Sequence, residues 1–163
     1  MSGYDIASKL DAFAHRRGFI EPPAYYIVGE FNLKERNGKS VYSDEAHLWC
    51  RECAEKLLKK AHRLMPKERR EDHFICATDA DNEDTCPHCM ACGETLRGTV
   101  SSYCVEEELA HYTENPITPD SKINSRQAVE LAMVMRAAGE DEEVLTVGRA
   151  ALIAIAKAER PCP

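Results

Sequence analysis

Cys50-Arg-Glu-Cys53 and the later run Cys86-Pro-His-Cys89-Met-Ala-Cys92-Gly93 restrict this 163-residue chain more than any other feature. Each segment offers thiols at C-x2-C spacing. An ion that wants four soft ligands in a tetrahedron can take two from each turn without bending either backbone severely. The sequence therefore predicts a Zn2+ site. Cys50 and Cys53 supply one half of it. In the second run Cys89 and Cys92 fit a knuckle, because Gly93 directly after them eases the turn that aims N–H groups at a thiolate. Cys86 and Cys89, flanking Pro87, compete closely. A third arrangement holds two ions, with Cys76, Cys104 and one of His47, His73 and His88 joining in.

Eight cysteines would read as disulfides in a secreted chain. Here the N-terminus Met1-Ser2-Gly3-Tyr4-Asp5 lacks the basic-then-apolar order of a signal peptide, and no stretch approaches the roughly 20 apolar residues of a membrane span. A cytoplasmic protein with no membrane partner is expected, and metal binding takes precedence over structural disulfides. Apolar residues make up 44 % of the chain and charged ones 30 %, which excludes a wholly disordered protein.

The periodicity predicts an α+β protein: a small zinc-stapled domain with a β-hairpin and helices over 1–113, a linker over 114–123 and a C-terminal helical hairpin over 124–159. Ile6, Leu10 and Phe13 mark a first helix over 5–17 that stops at Gly18. After Pro22-Pro23 the β-formers of 24–33 lead through Asn37-Gly38 to Ser40-Val41-Tyr42, a hairpin. Ser43 has N-cap chemistry, so a helix is expected from there to Met65, ended by Pro66. A second hairpin is expected around Gly98, and a short helix through Val105, Leu109 and Tyr112. Asn124 with Gln127 resembles a capping box opening a helix over 125–138, and the acids after Gly139 open another to about Ala158. These two helices are apolar over most of their circumference, which predicts either burial on the rest of the chain or a homodimer through them.

A helix-borne cysteine pair set against a compact knuckle beside a hairpin resembles the treble-clef and zinc-ribbon group of zinc modules. The likeness covers residues 47–104 and rests on ligand spacing, with the helix-borne pair unusually placed before the knuckle. It implies a site that recognises protein or nucleic acid, or a structural staple. The order Cys50/Cys53, Asp72-His73, Asn82, Cys86/Cys89 also resembles the layout of HNH nucleases, where a histidine activates water against a metal-bound phosphate. Trp49-Cys50-Arg-Glu-Cys53 is similar to a thioredoxin-like W-C-x-x-C opening, but 43–48 is no buried apolar strand. Thr85-Cys-Pro-His-Cys89 lacks the H-x-E of a zinc deaminase. The acids of 79–84 lack the glycine and terminal glutamate of a calcium loop and read as a solvated loop.

A net charge of −7 opposes binding to a phosphate backbone. Charge is nonetheless uneven, since 51–70 carries eight Lys or Arg against Glu52, Glu55 and Glu68. Lys56, Lys59, Lys60, Arg63 and Lys67 form its basic face, the residues a nucleic acid would meet. Without a convincing catalytic set, the sequence favours a zinc-stabilised regulatory or inhibitory protein acting through protein contacts, of the kind phages and mobile elements carry. A nucleic-acid-binding zinc protein and an HNH-like nuclease are the alternatives.

Overall fold

The computed structural model describes residues 1–161, with Asn82 described by its backbone alone. Cys162 and the Asn82 side chain, which the nuclease comparison invoked, lie outside the described residues. The chain is α+β and divides into two compact units. A helical unit holds Met1–Glu21, Asp81–Cys86 and the chain from Gly98 onward, and a cysteine unit holds Pro22–Ala80 and Pro87–Arg97. This departs from the linear division at 113, because the N-terminal helix and the segment after Gly98 join the C-terminal hairpin.

In the helical unit, α1 (Gly3–Arg16) begins where the Ser2 hydroxyl accepts the Asp5 N–H and the Asp5 carboxylate accepts the Ser2 N–H. Those bonds satisfy two donors that a helix start leaves orphaned. Residues 98–114 supply a strand and α3 (Ser102–Glu114), the latter capped by Ser101. Asn124 caps α4 (Ser125–Ala138) through the Gln127 N–H at 2.8 Å, and Asp141 caps α5 (Glu142–Glu159). Leu131, Ala132, Met133, Val134 and Met135 are all buried. Five consecutive buried positions exceed one face of a helix, and α1, α3 and α5 all pack against α4. Much of the apolar circumference read from the sequence is thus used within this unit. No helix among the described residues is long and apolar enough to cross a membrane.

In the cysteine unit, β1 (Ala24–Val28) ends at Gly29, whose φ of 84° turns the chain into β2 (Phe31–Lys34). The β2 strand pairs with β3 (Ser40–Ser43), from Phe31 opposite Ser43 to Lys34 opposite Ser40, around the expected Asn37-Gly38 turn. Helix α2 spans Arg51–Leu64 with Cys50 as its N-cap, seven residues later than the N-cap chemistry of Ser43 suggested. Ser43 instead completes the β2–β3 ladder and is fully buried. Trp49 then exchanges both backbone hydrogen bonds with Tyr25 at 2.9 Å, holding the chain extended up to Cys50. A 3-10 turn over Lys67–Asp72 leads to β4 (Phe74–Thr78), antiparallel to β1 with Tyr26 opposite Cys76. Ile27, Phe31, Val41, Trp49, Ala54, Leu58 and Met65 form the core between α2 and these strands.

Two further expectations are corrected. The acidic stretch is a strand, β5 (Ala80–Glu83), paired with β6 (Gly98–Val100) and held by Thr99 Oγ1 donating to Asp81 at 3.0 Å. Thr95 bridges His88 rather than 99–100, so no hairpin forms around Gly98.

Candidate metal centre

The sulfurs of Cys50, Cys53, Cys89 and Cys92 all lie within 4.8 Å of one another. Two local structures bring them together. Cys50 is the N-cap of α2 and Cys53 its third residue, so both thiols project from the helix start, where free N–H groups and the helix dipole favour negative charge. The other pair sits on a knuckle: Cys89 N–H donates to Glu94 O at 2.8 Å, Gly93 N–H to Cys89 O at 2.9 Å, and Leu96 N–H to Pro87 O at 2.8 Å. Gly93 makes that reversal at φ 72°, a left-handed conformation that suits glycine. Met90 N–H donates to Leu48 O at 2.8 Å and so ties the knuckle to the segment entering α2. Ala24, Ala80 and Leu96 pack around Cys50 and Cys89 and keep that side dry, while Cys92 faces solvent.

The four thiols cannot all ionise unaided. Burial would push Cys89 up, yet N–H groups of Cys92, Cys50 and Ala91 aimed at its sulfur outweigh it and bring it down to about 7. Cys53 is pushed far up, by burial first and then by the thiols of Cys50, Cys89 and Cys92; Cys50 also rises, chiefly through burial. Like charges at this spacing oppose a second thiolate at Cys50 or Cys53 beside that of Cys89. A bound cation would reverse that balance, and the donor set fits zinc: four soft sulfurs, two backbones, no wide rearrangement needed.

Cys86 stands outside the cluster. It is buried in the helical core beside Cys104, and burial, then Cys104, pushes its thiol well up. Cys76 lies on β4 across from Tyr26. No second group of three or more metal-ligating side chains occurs among the described residues, which leaves the two-ion arrangement without a second cage.

His73 is buried rather than displayed on the surface. Its Nδ1 donates to Arg69 O at 2.7 Å, Nε2 stands 3.4 Å from Glu30 O, and its ring meets Phe31 edge-on. It holds the 3-10 turn against the β1–β2 corner. The basic face is partly neutralised by acids. Lys56 is paired with Glu52 at 2.7 Å, Lys60 with Glu35, and Arg51 with Glu55 at 2.8 Å. Among the described residues Lys59, Arg63, Lys67 and Arg70 form no ion pair. Arg70, missed in the sequence, could have been found only by knowing that the 3-10 turn folds back toward α2.

Comparison of the chain with family models, curated proteins and solved structures returned no match. What fold and site define is therefore a class: an α+β protein with a four-cysteine group able to hold a metal ion.

Proposed function

We propose that this chain is a non-catalytic, zinc-stabilised binding protein that acts through protein contacts. One observation carries the reading: every ligand position around the centre is a cysteine sulfur, so an ion held there has no open position for water or substrate. Such a centre fixes shape. It would clamp the front of α2 to the knuckle, and α2 in turn carries five of the unit's basic groups. Charge supports a binding role for that unit, since it holds twelve Lys or Arg against eleven Asp or Glu, while the helical unit holds nine against seventeen. Nucleic acid remains the alternative partner, but Glu52 and Glu35 neutralise two of the five basic residues assigned to it. The nuclease alternative asks His73 to reach water, and its burial opposes that.

Elemental mass spectrometry of protein purified without added metal tests the proposal, paired with a Mg2+-dependent cleavage assay. One zinc per chain and no turnover are expected. Iron in place of zinc, a metal-free protein, or cleavage lost in His73→Ala would overturn it.

A further inference from the structure

Alongside α2 runs a groove of about 410 Å³ whose walls belong wholly to the cysteine unit. Its floor is apolar, made by Leu58 of α2 and Ile75 of β4. Lys59, His62 and Arg63 line it from the helix, and Arg70 lines it from the 3-10 turn. Glu55 is the single acid on the rim, and Arg51 already occupies it. The Arg70 Nε is buried without a hydrogen-bond partner, and its Nη2 reaches only Met65 O at 3.4 Å. A buried guanidinium N–H left unmatched costs free energy until an acceptor arrives.

The second observation is the strand beside the groove. The β1–β4 sheet has two members; β1 has its far edge covered by Trp49, whereas among the described residues no strand covers the far edge of β4. An extended segment laid on that edge gains backbone hydrogen bonds, and its alternate side chains point to the face where α2 and Ile75 lie. We infer that this groove binds an extended acidic peptide segment as an added strand on β4, its groove-side positions alternating acidic and apolar residues. The acids meet Arg63, Lys59 and Arg70, and the apolar residue covers Leu58 and Ile75. A nucleic acid is the weaker fit, because phosphates would leave the apolar lining and the strand edge unused.

This inference rests on the binding-protein reading, and its test is separate from metal content. The probe is a fluorescein-labelled nonapeptide in which glutamate and valine alternate with serine, titrated into zinc-loaded full-length protein near 0.1 M salt and followed by anisotropy. Saturable binding below about 1 mM is expected. The Lys59→Glu/Arg63→Glu variant, altered at two exposed positions, should weaken it at least about tenfold, while Lys39→Glu on the β2–β3 turn leaves it unchanged. Zinc content confirms that each variant is folded. A peptide N-methylated at alternate backbone nitrogens should lose binding although its charges are intact. No binding by the glutamate peptide overturns the proposal. So does equal binding of the N-methylated form, or of a peptide with lysine for glutamate. Tighter binding of a 20-nucleotide single strand that is lost in the double variant assigns the groove to nucleic acid instead.

Discussion

The Cys50 and Cys92 sulfurs stand 3.9 Å apart. That is the edge of a tetrahedron of about 3.8 Å implied by zinc–sulfur bonds of about 2.3 Å, and nearly twice the length of a disulfide bond. The two residues come from a helix cap and from a knuckle 42 positions later, a spacing that a shared ion would suit. If the centre holds zinc as proposed, replacing Cys89, whose thiolate the backbone already stabilises, should abolish metal binding and unfold the cysteine unit. The binding free energy of such a site, about 10–16 kcal/mol, is largely folding free energy. Zinc titration of Cys89→Ser followed by circular dichroism checks this, and a variant that loses zinc yet melts unchanged would contradict it.

Gly29 and His73 are interlocked. A Cβ on Gly29 would lie 2.7 Å from the His73 ring and 2.8 Å from the Asp72 carbonyl oxygen, on a backbone at φ 84°. Gly38 has the same φ but nothing within 4 Å of its Cβ. Gly29→Ala should therefore cost clearly more than Gly38→Ala, about 3 kcal/mol against about 1, read as denaturant midpoints. His73→Ala should also destabilise, by about 2–4 kcal/mol, while any metal content matches that of the parent. Equal costs at the two glycines would mean that the corner relaxes.

Helix propensity and packing predict opposite signs at Gly3. Alanine is the better helix former by up to about 1 kcal/mol. Yet a Cβ there would run into the carbonyl oxygens of Met135 and Gly139, and Gly3 N–H already donates to Gly139 O at 3.1 Å. Backbone cannot give way as a flexible side chain can. Gly3→Ala should lower stability by about 1–3 kcal/mol in thermal melts, despite the gain in propensity.

Local chemistry made much of this fold legible. The Ile6, Leu10 and Phe13 stripe, the Asn124 and Gln127 cap and the Asn37-Gly38 turn each act through neighbours in sequence, and each element formed close to where they placed it. The four thiols that cluster were readable from ligand spacing and one glycine. What failed depended on distant pairing. Ser43 has the side chain of an N-cap, but its place opposite Phe31 and the Trp49–Tyr25 bridge outweigh that preference. The acids of β5 read as a loop until β6 supplies a ladder, although Asp81 stays exposed as expected. Cys86 competed for the metal on spacing alone, and its place in the helical core beside Cys104 leaves its sulfur outside the four-cysteine group.

That burial has a consequence at alkaline pH. Cys86 and Cys104 are both pushed up, burial being the main cause in each. An unfolded cysteine ionises near pH 8.5, so below that value both states keep the proton and the buried thiols cost nothing. Above it the unfolded chain releases protons that the folded chain holds, and stability falls as pH rises toward the folded value. For Cys86 the slope approaches about 1.4 kcal/mol per pH unit. Cys86→Ala should be less stable than the parent at pH 7.5 through the lost packing, yet lose stability more slowly between pH 8.5 and about 10. Tyr112 and Cys104 both feel Cys86, so the difference between the urea midpoints of the two proteins across that range reads the Cys86 thiol together with its effect on those two neighbours. Parallel curves would place Cys86 in contact with water.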